Sequence, residues 1–223
     1  MNSTIKQTRM PVAVLISGRG SNMMALVEAA RAHSYPAEII HVISNRPDAR
    51  GLDWAREQGI ATTALDHTAF PDRDAFDAEL HKAITKSGAE LVACAGFMRI
   101  MTADFVRQWT GRIVNIHPSL LPSFKGINVH AKMLEAGVKI AGCTVHYVTP
   151  ELDAGPIIAQ GAVPVLPQDT PETLAARILE VERKIYPLAL ELVASGQAPL
   201  VNGQVALNAK VIADAKLICP HAT

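Results

Sequence analysis

Along the chain, unbroken apolar runs alternate with stretches in which apolar positions recur every three or four residues. PVAVLIS (11–17) is rich in Val and Ile and shows no polar alternation, the pattern of a strand covered on both faces. AEIIHVISN (37–45) and AELVACAGF (89–97) read the same way, and IATTAL (60–65) and RIVNI (112–116) are shorter strands. Helical segments lie between them. MMALVEAARAH follows the first strand, and DARGLDWAREQ (48–58) stops at Gly59, a residue suited to the left-handed turn that ends a helix. In DRDAFDAELHKAITKSG (72–88), Phe76, Leu80, Ala83 and Ile84 fall on one face, and TADFVRQW is a further short helix. NVHAKMLEAGV reads as helical and GCTVHYVTP (142–150) as a strand. GPIIAQGAVPV (155–165) is its hairpin partner, because strands in immediate succession cannot pair in parallel without a crossover. The last helix covers 169–196, with Thr170 as N-cap and Pro171 at the first helical position. Leu174, Ile178, Val181, Ile185, Leu188 and Leu192 form its expected stripe, and Pro187 is expected to kink or break it.

Strands alternating with helices predict an α/β fold: an open, mostly parallel twisted sheet with helices on both faces and an antiparallel C-terminal part. The expected division is a single domain over 11–195, with terminal extensions at 1–10, read as disordered, and 196–223. In such sheets ligands bind at the carboxyl ends of the strands, so the strand tips are where chemistry is expected.

Composition narrows the class. Lys plus Arg and Asp plus Glu number 21 each, so the net charge is zero and no basic nucleic-acid surface is expected. No apolar run approaches the ~18 to 20 residues of a membrane helix, and MNSTIKQTRM carries no apolar signal core, so neither membrane nor export is expected. Cys94, Cys143 and Cys219 form no CxxC, which points away from zinc and disulfides and towards a reducing, cytoplasmic setting.

Four tips carry polar or glycine-rich sequence. Ser17-Gly18-Arg19-Gly20-Ser21-Asn22 is a glycine-rich turn before a helix, where free backbone N–H groups can hold a phosphate. Met23 stands where a dinucleotide fingerprint needs Gly or Ala, so a mononucleotide-type phosphate fits better; a plain tight turn is the alternative. After Gly96, the stretch Phe97, Met98, Arg99, Ile100 and Met101 lines a pocket for a flat ring or, taken alone, places Phe97, Met98 and Ile100 in the core. Asn115 and His117 project from one face of a strand, roughly 6.5 to 7 Å apart along it, and Pro118 ends that strand. An amide and an imidazole side by side can hold a developing oxyanion and move protons; ordinary loop-edge polar groups are the alternative. Asp153 in Glu151-Leu152-Asp153-Ala154-Gly155-Pro156 is either a turn former or the carboxylate that orients His117. His146, on the strand before that loop, is a second imidazole candidate or a packed histidine, the latter preferred; Cys94 reads as core, and no HExxH, GxSxG or P-loop is present.

Taken in order, GRGSN, AGFMRI, NIHPSLLP and ELDAGPII resemble the folate-dependent formyltransferase superfamily, and within it the phosphoribosylglycinamide formyltransferase family, over about residues 11 to 195. The resemblance implies a Rossmann-like formyltransferase fold. It also implies transfer of a formyl group from 10-formyltetrahydrofolate, a consumed cosubstrate, to the amine of glycinamide ribonucleotide in purine synthesis, with no metal. The family's catalytic residues fall on Asn115, His117 and Asp153, and its ribonucleotide contacts on Gly20, Ser21, Asn22 and Glu182. Its folate contacts fall on Arg73, Met98, Arg99, Ile100, Met101, Asn115, Thr149, Pro150, Glu151, Leu152 and Asp153. Small-molecule substrates and a monomer or homodimer are expected. Ile127-Asn128-Val129-His130 departs from the Leu-His-Thr-His common at that place.

Four other readings compete. A formyltetrahydrofolate hydrolase shares the three catalytic residues but normally carries an N-terminal regulatory domain. A methionyl-tRNA formyltransferase needs a further C-terminal domain. Met23 argues against a nicotinamide-dependent oxidoreductase, and a non-catalytic nucleotide-binding module leaves Asn115, His117 and Asp153 without a shared purpose.

Overall fold

A computed structural model describes residues 9–208; the expected disorder of the N-terminus and Cys219 fall outside the described residues, apart from Arg9 and Met10. In chain order the elements are β1 (Met10–Ile16), α1 (Ser21–Ala29), β2 (Ala37–Ser44), α2 (Arg50–Glu57), β3 (Ala61–Ala64), α3 (Arg73–Ser87), β4 (Leu91–Cys94), α4 (Ala103–Gln108) and β5 (Ile113–His117). There follow α5 (Val129–Glu135), β6 (Ile140–Tyr147), β7 (Ile157–Pro164), α6 (Pro171–Ala194), β8 (Leu200–Val201) and β9 (Gln204–Val205).

Seven strands form one sheet in the order β3-β2-β1-β4-β5-β6-β7. The first five run parallel, and β6 and β7 are antiparallel. The predicted sheet, parallel with an antiparallel C-terminal part, is what forms. Winding proceeds from β1 towards β3 and then reverses through β4, so a cleft opens at the carboxyl ends of β1 and β4, the switch point of the topology.

The missing alternation in β1 has a direct cause. Val12, Val14 and Ile16 enter one apolar layer with Met23 and Leu26 of α1, Leu52 of α2 and Tyr186 and Leu190 of α6. Ala13 and Leu15 enter the opposite layer with Phe76, Leu80 and Ile84 of α3 and Phe105 and Val106 of α4. Helices therefore cover both faces. A third cluster joins Val129 and Met133 of α5 to Cys143, Val163, Leu174 and Ile178 beyond the antiparallel strands.

Two findings narrow the expectations about the last helix. First, α6 is not broken at Pro187 and runs on to Ala194. An interior proline costs about 3 kcal/mol or more. Here Tyr186, Ala189 and Leu190 are fully buried around it, and the Pro187 carbonyl accepts the Tyr35 hydroxyl at 2.7 Å, so tertiary burial outweighs that cost. Second, the buried face holds Glu182, Tyr186 and Ala189, whereas Leu188 is 50% exposed. The stripe read from apolar residues alone missed a buried carboxylate and a buried phenol. The strand expected over 89–97 is also shorter, pairing only through Cys94, because Gly96 turns the chain at a positive φ of 77°.

Past α6, Ala198 is buried and its carbonyl accepts the Tyr147 hydroxyl at 2.8 Å, so the segment leading to β8 and β9 packs on the sheet. Among the described residues, no helix is long and apolar enough to cross a membrane.

Candidate active site

At the tip of β1 the chain must turn sharply into α1. Gly20, the residue capping α1, makes that turn at φ 75°, a conformation that glycine adopts without strain. Behind the turn, the Gly51 amide donates to the Gly18 carbonyl at 3.0 Å. A Cβ on Gly51 would lie 2.5 Å from Ile16 Cδ1 and 3.1 Å from the Gly18 oxygen, so any side chain there would push α2 away from the turn. The loop and the tip of β4 enclose a cleft of about 290 Å³ lined by Ser17, Arg19, Gly20, Ser21, Asn22 and Gly96, with Met98 and Leu179 at its edge. The expected ribonucleotide residues Gly20, Ser21 and Asn22 all border it.

Glu182 joins them from α6. Its Oε2 accepts from Asn22 Nδ2 at 2.6 Å, and it is buried. Burial pushes its carboxyl above the ordinary range, against the opposing pull of the Asn22 hydrogen bond and nearby His117. Asn22 Oδ1 is itself buried without a partner.

The tip of β5 gathers the second group. Asn115 pairs with His146 and His117 with Thr144 across the antiparallel β5–β6 ladder. His117 Nε2 donates to the Phe124 carbonyl at 2.9 Å, which leaves Nδ1 facing Asp153 Oδ2 at 3.4 Å. Asp153 is held at φ 48°, and its Oδ2 accepts the Gly126 amide at 2.8 Å. The loop after β5 is thereby tied to the loop after β6, and Lys125 and Glu151 add a second, exposed tie at 3.1 Å. Within the first loop, Phe124 and Asn128 both take positive φ, the latter capping α5.

His146, the second imidazole candidate, belongs to this group. It is fully packed, as expected, but inside the cluster. Its Nδ1–H donates to the Tyr147 carbonyl at 2.8 Å, so Nε2 accepts from Asn115 Nδ2 at 3.3 Å, and Asp153 Oδ1 lies 4.0 Å away. Burial lowers its pKa and keeps the ring neutral, as that hydrogen bond requires. The signal lay in the register, since His146 stands opposite Asn115, and strand pairing is not written in either strand alone. His130, in the first turn of α5, also has its pKa lowered, first by burial and then by the nearby His117, and its Nε2 is buried without a partner.

The expected folate residues divide. Met98 and Ile100 are 72% and 53% exposed, correcting the core reading for them, whereas Phe97 and Met101 pack against the second apolar layer. Arg99 lies over the Phe76 ring at 4.4 Å, and Asp77 Oδ2 accepts the Thr102 amide at 2.6 Å, so α3 holds the segment from below. Arg73 stands exposed at the first position of α3. Thr149, Pro150, Glu151 and Leu152 form the loop leading to Asp153, where the Thr149 hydroxyl donates to the Glu151 carbonyl at 3.2 Å. Cys94 is core, its thiol pushed up to about 12 by burial. Among the described residues, no group of three or more His, Cys, Asp or Glu is arranged to hold a metal ion.

A phosphate-type loop at β1, an amide–imidazole–carboxylate cluster at β5 and an apolar segment between them define the class. The formyl transferase family model matches residues 10–190, and the chain belongs to that family. Among its relatives, the phosphoribosylglycinamide formyltransferase of Escherichia coli (strain K12) is 44% identical over 188 residues, covering 84% of this chain and 89% of that protein. The human trifunctional purine biosynthetic protein adenosine-3 is 48% identical over 195 residues, covering 87% of this chain. The chain spans only 20% of the length of the bovine trifunctional protein and 19% of the human one. A solved structure, glycinamide ribonucleotide transformylase 1 from Symbiobacterium toebii, superposes with a TM-score of 0.89 at 43% identity, covering 93% of this chain and 98% of that one.

Proposed function

We propose that the chain is a phosphoribosylglycinamide formyltransferase, moving the formyl group of 10-formyltetrahydrofolate to the primary amine of glycinamide ribonucleotide. The observation that carries this reading is the convergence of Asn115, His117, His146 and Asp153 near Glu182, which is bonded to Asn22 at the cleft that Gly20 and Asn22 line. The ribonucleotide phosphate takes the amides at the start of α1, where the helix end favours an anion. Glu182 meets the sugar hydroxyls as an acceptor. Folate lies along Met98–Met101 and the Thr149–Asp153 loop, with Arg73 offered to its carboxylates.

In the reaction the amine nitrogen bonds to the formyl carbon and the carbonyl electron pair moves to oxygen. Asn115 Nδ2 gives one hydrogen to His146 and keeps the second for that oxyanion. His117, its Nδ1 facing Asp153 at 3.4 Å, would add positive charge beside it when it carries the proton in transit. The bond from carbon to N10 then breaks, and N10 gains a proton as the new amide nitrogen loses one, with Asp153 as the relay. One oxyanion donor is worth about 2.7 to 4 kcal/mol of transition-state stabilisation.

The test is turnover of 10-formyltetrahydrofolate with and without glycinamide ribonucleotide. Formylated ribonucleotide should appear only with both present. Deformylation indifferent to the ribonucleotide would replace the transferase with a hydrolase. His117→Ala and Asp153→Ala should each lower kcat by at least about a hundredfold, and unchanged turnover in either would remove that residue from the mechanism.

A further inference from the structure

Ser17 sits where the two halves of the cleft meet, and the reaction gives it no chemical part. It is buried, one residue before the phosphate-type loop. Its hydroxyl donates to Asn45 Oδ1 at 2.5 Å, at the tip of β2, and accepts the Met98 amide at 2.7 Å. Its own amide donates to the Gly96 carbonyl at 3.2 Å. A serine hydroxyl has one hydrogen. Once Asn45 takes it, the lone pairs are left for Met98 and the direction of the hydroxyl is fixed. Asn45 is held in turn, since its carbonyl accepts from His67 Nδ1 at 2.8 Å and from the His67 amide at 3.3 Å.

Two bonds thus join the root of one loop to the root of the other. Gly18 to Asn22 follow Ser17 directly, and Arg99 to Met101 follow Met98 directly. We propose that Ser17 is a positioning residue that couples the two substrate subsites, so that filling either one orders the other through the Asn45–Ser17–Met98 chain. This rests on the reading of the Gly18–Asn22 loop as the ribonucleotide subsite and the Met98–Met101 segment as the folate subsite. A ligand on the loop restrains the backbone that leaves Ser17 and, through the Ser17 hydroxyl, the Met98 peptide, so the second ligand then has less backbone left to order. Coupling of this kind is reciprocal.

The experiment measures binding of glycinamide ribonucleotide by calorimetry with and without saturating tetrahydrofolate, which carries no formyl group to transfer, and then the converse. In the wild-type protein each ligand should tighten the other by at least about fivefold, and by the same factor in both directions. Ser17→Ala should bring that factor below about twofold, because the bond from its hydroxyl to the Met98 amide is then lost. Ser17→Thr, which keeps the hydroxyl, should restore it. Asn45→Ala should act like Ser17→Ala, and the double variant should be no worse than either alone, as expected of residues in one chain of contacts. A merely structural role would lower the melting temperature and both affinities but leave the coupling factor intact. Undiminished coupling in a folded Ser17→Ala, or wild-type binding of both ligands with no coupling, would overturn the proposal. Failure of the wild-type protein to bind the ribonucleotide at all would overturn the functional reading beneath it.

Discussion

The Asn115 amide is useful only if its nitrogen faces the reacting oxygen, and a free amide can flip. His146 removes that freedom: its Nδ1–H is committed to the Tyr147 carbonyl, so its Nε2 can only accept, and only the nitrogen end of Asn115 can satisfy it. Asn115→Ala should lower kcat by about 10²- to 10³-fold, with ribonucleotide KM little changed. His146→Ala should give a smaller kcat loss, about tenfold, in steady-state assays of the same kind; a kcat loss larger than that of Asn115→Ala would give His146 a direct role in proton transfer. The same geometry sets a pH dependence. The folded-state pKa of His146 is lowered, so on acidification the unfolded chain binds its proton first. Stability from the neutral ring is therefore present above about pH 6.5 and is lost as pH falls below it. In urea denaturation at pH 7.5 and 5.5, the stability advantage of wild type over His146→Gln should shrink at the lower pH. Asn115, His117 and Asp153 were legible because they sit in an ordered series of short sequence signatures. His146 was legible only as a second imidazole candidate, because its part depends on a partner 31 positions away.

Among the elements, α6 shows where pattern reading stops. Its start was legible: Thr170 caps the helix through the Thr173 amide, and Pro171 opens it. Its phase was not, because the buried face includes Glu182, bonded to Asn22, and Tyr186, whose hydroxyl donates to the Cys94 carbonyl at 2.9 Å. Polar residues that find partners inside do not register as a stripe. Just before the helix, Asp169 accepts two bonds from Arg177 at 2.6 and 2.7 Å. That hydrogen-bonded guanidinium holds the Asp169 carboxyl well below the ordinary carboxylate range. Its contribution is thus present above the unfolded pKa of about 3.9 and is lost as pH falls through the lower folded-state value. Asp169→Asn should cost about 1.5 to 3 kcal/mol at pH 7 by urea denaturation, and progressively less in strong acid. An undiminished difference at pH 2 would show that packing, and not charge, holds the clasp.

At the scale of the molecule, the alternation of strands and helices announced a parallel sheet, and the site fell at its strand tips. The order of strands and the register that sets β6 against β5 are long-range facts, and local pattern does not contain them. Nor does it show how tightly the loop after β6 is folded back. At Gly155 a Cβ would fall 1.7 Å from the Tyr147 oxygen and 2.8 Å from its carbonyl carbon, both backbone atoms that cannot swing aside. Gly155→Ala must therefore lift the loop that carries Asp153, two residues earlier. Turnover should fall by more than about a hundredfold, with a folded protein by circular dichroism and ribonucleotide affinity within a few-fold of wild type. Wild-type kcat in that variant would mean that the loop has another seat.

The contact between Gly51 and Gly18 has an electrical meaning as well as a steric one. A tight turn that points amides at an anion has to put its carbonyl oxygens somewhere, and an oxygen left in the cleft would repel any anion entering it. The first turn of α2 takes the Gly18 oxygen onto the Gly51 amide, on the far side of the loop. The sign of the potential in the cleft is set partly from behind, by a residue that does not line it.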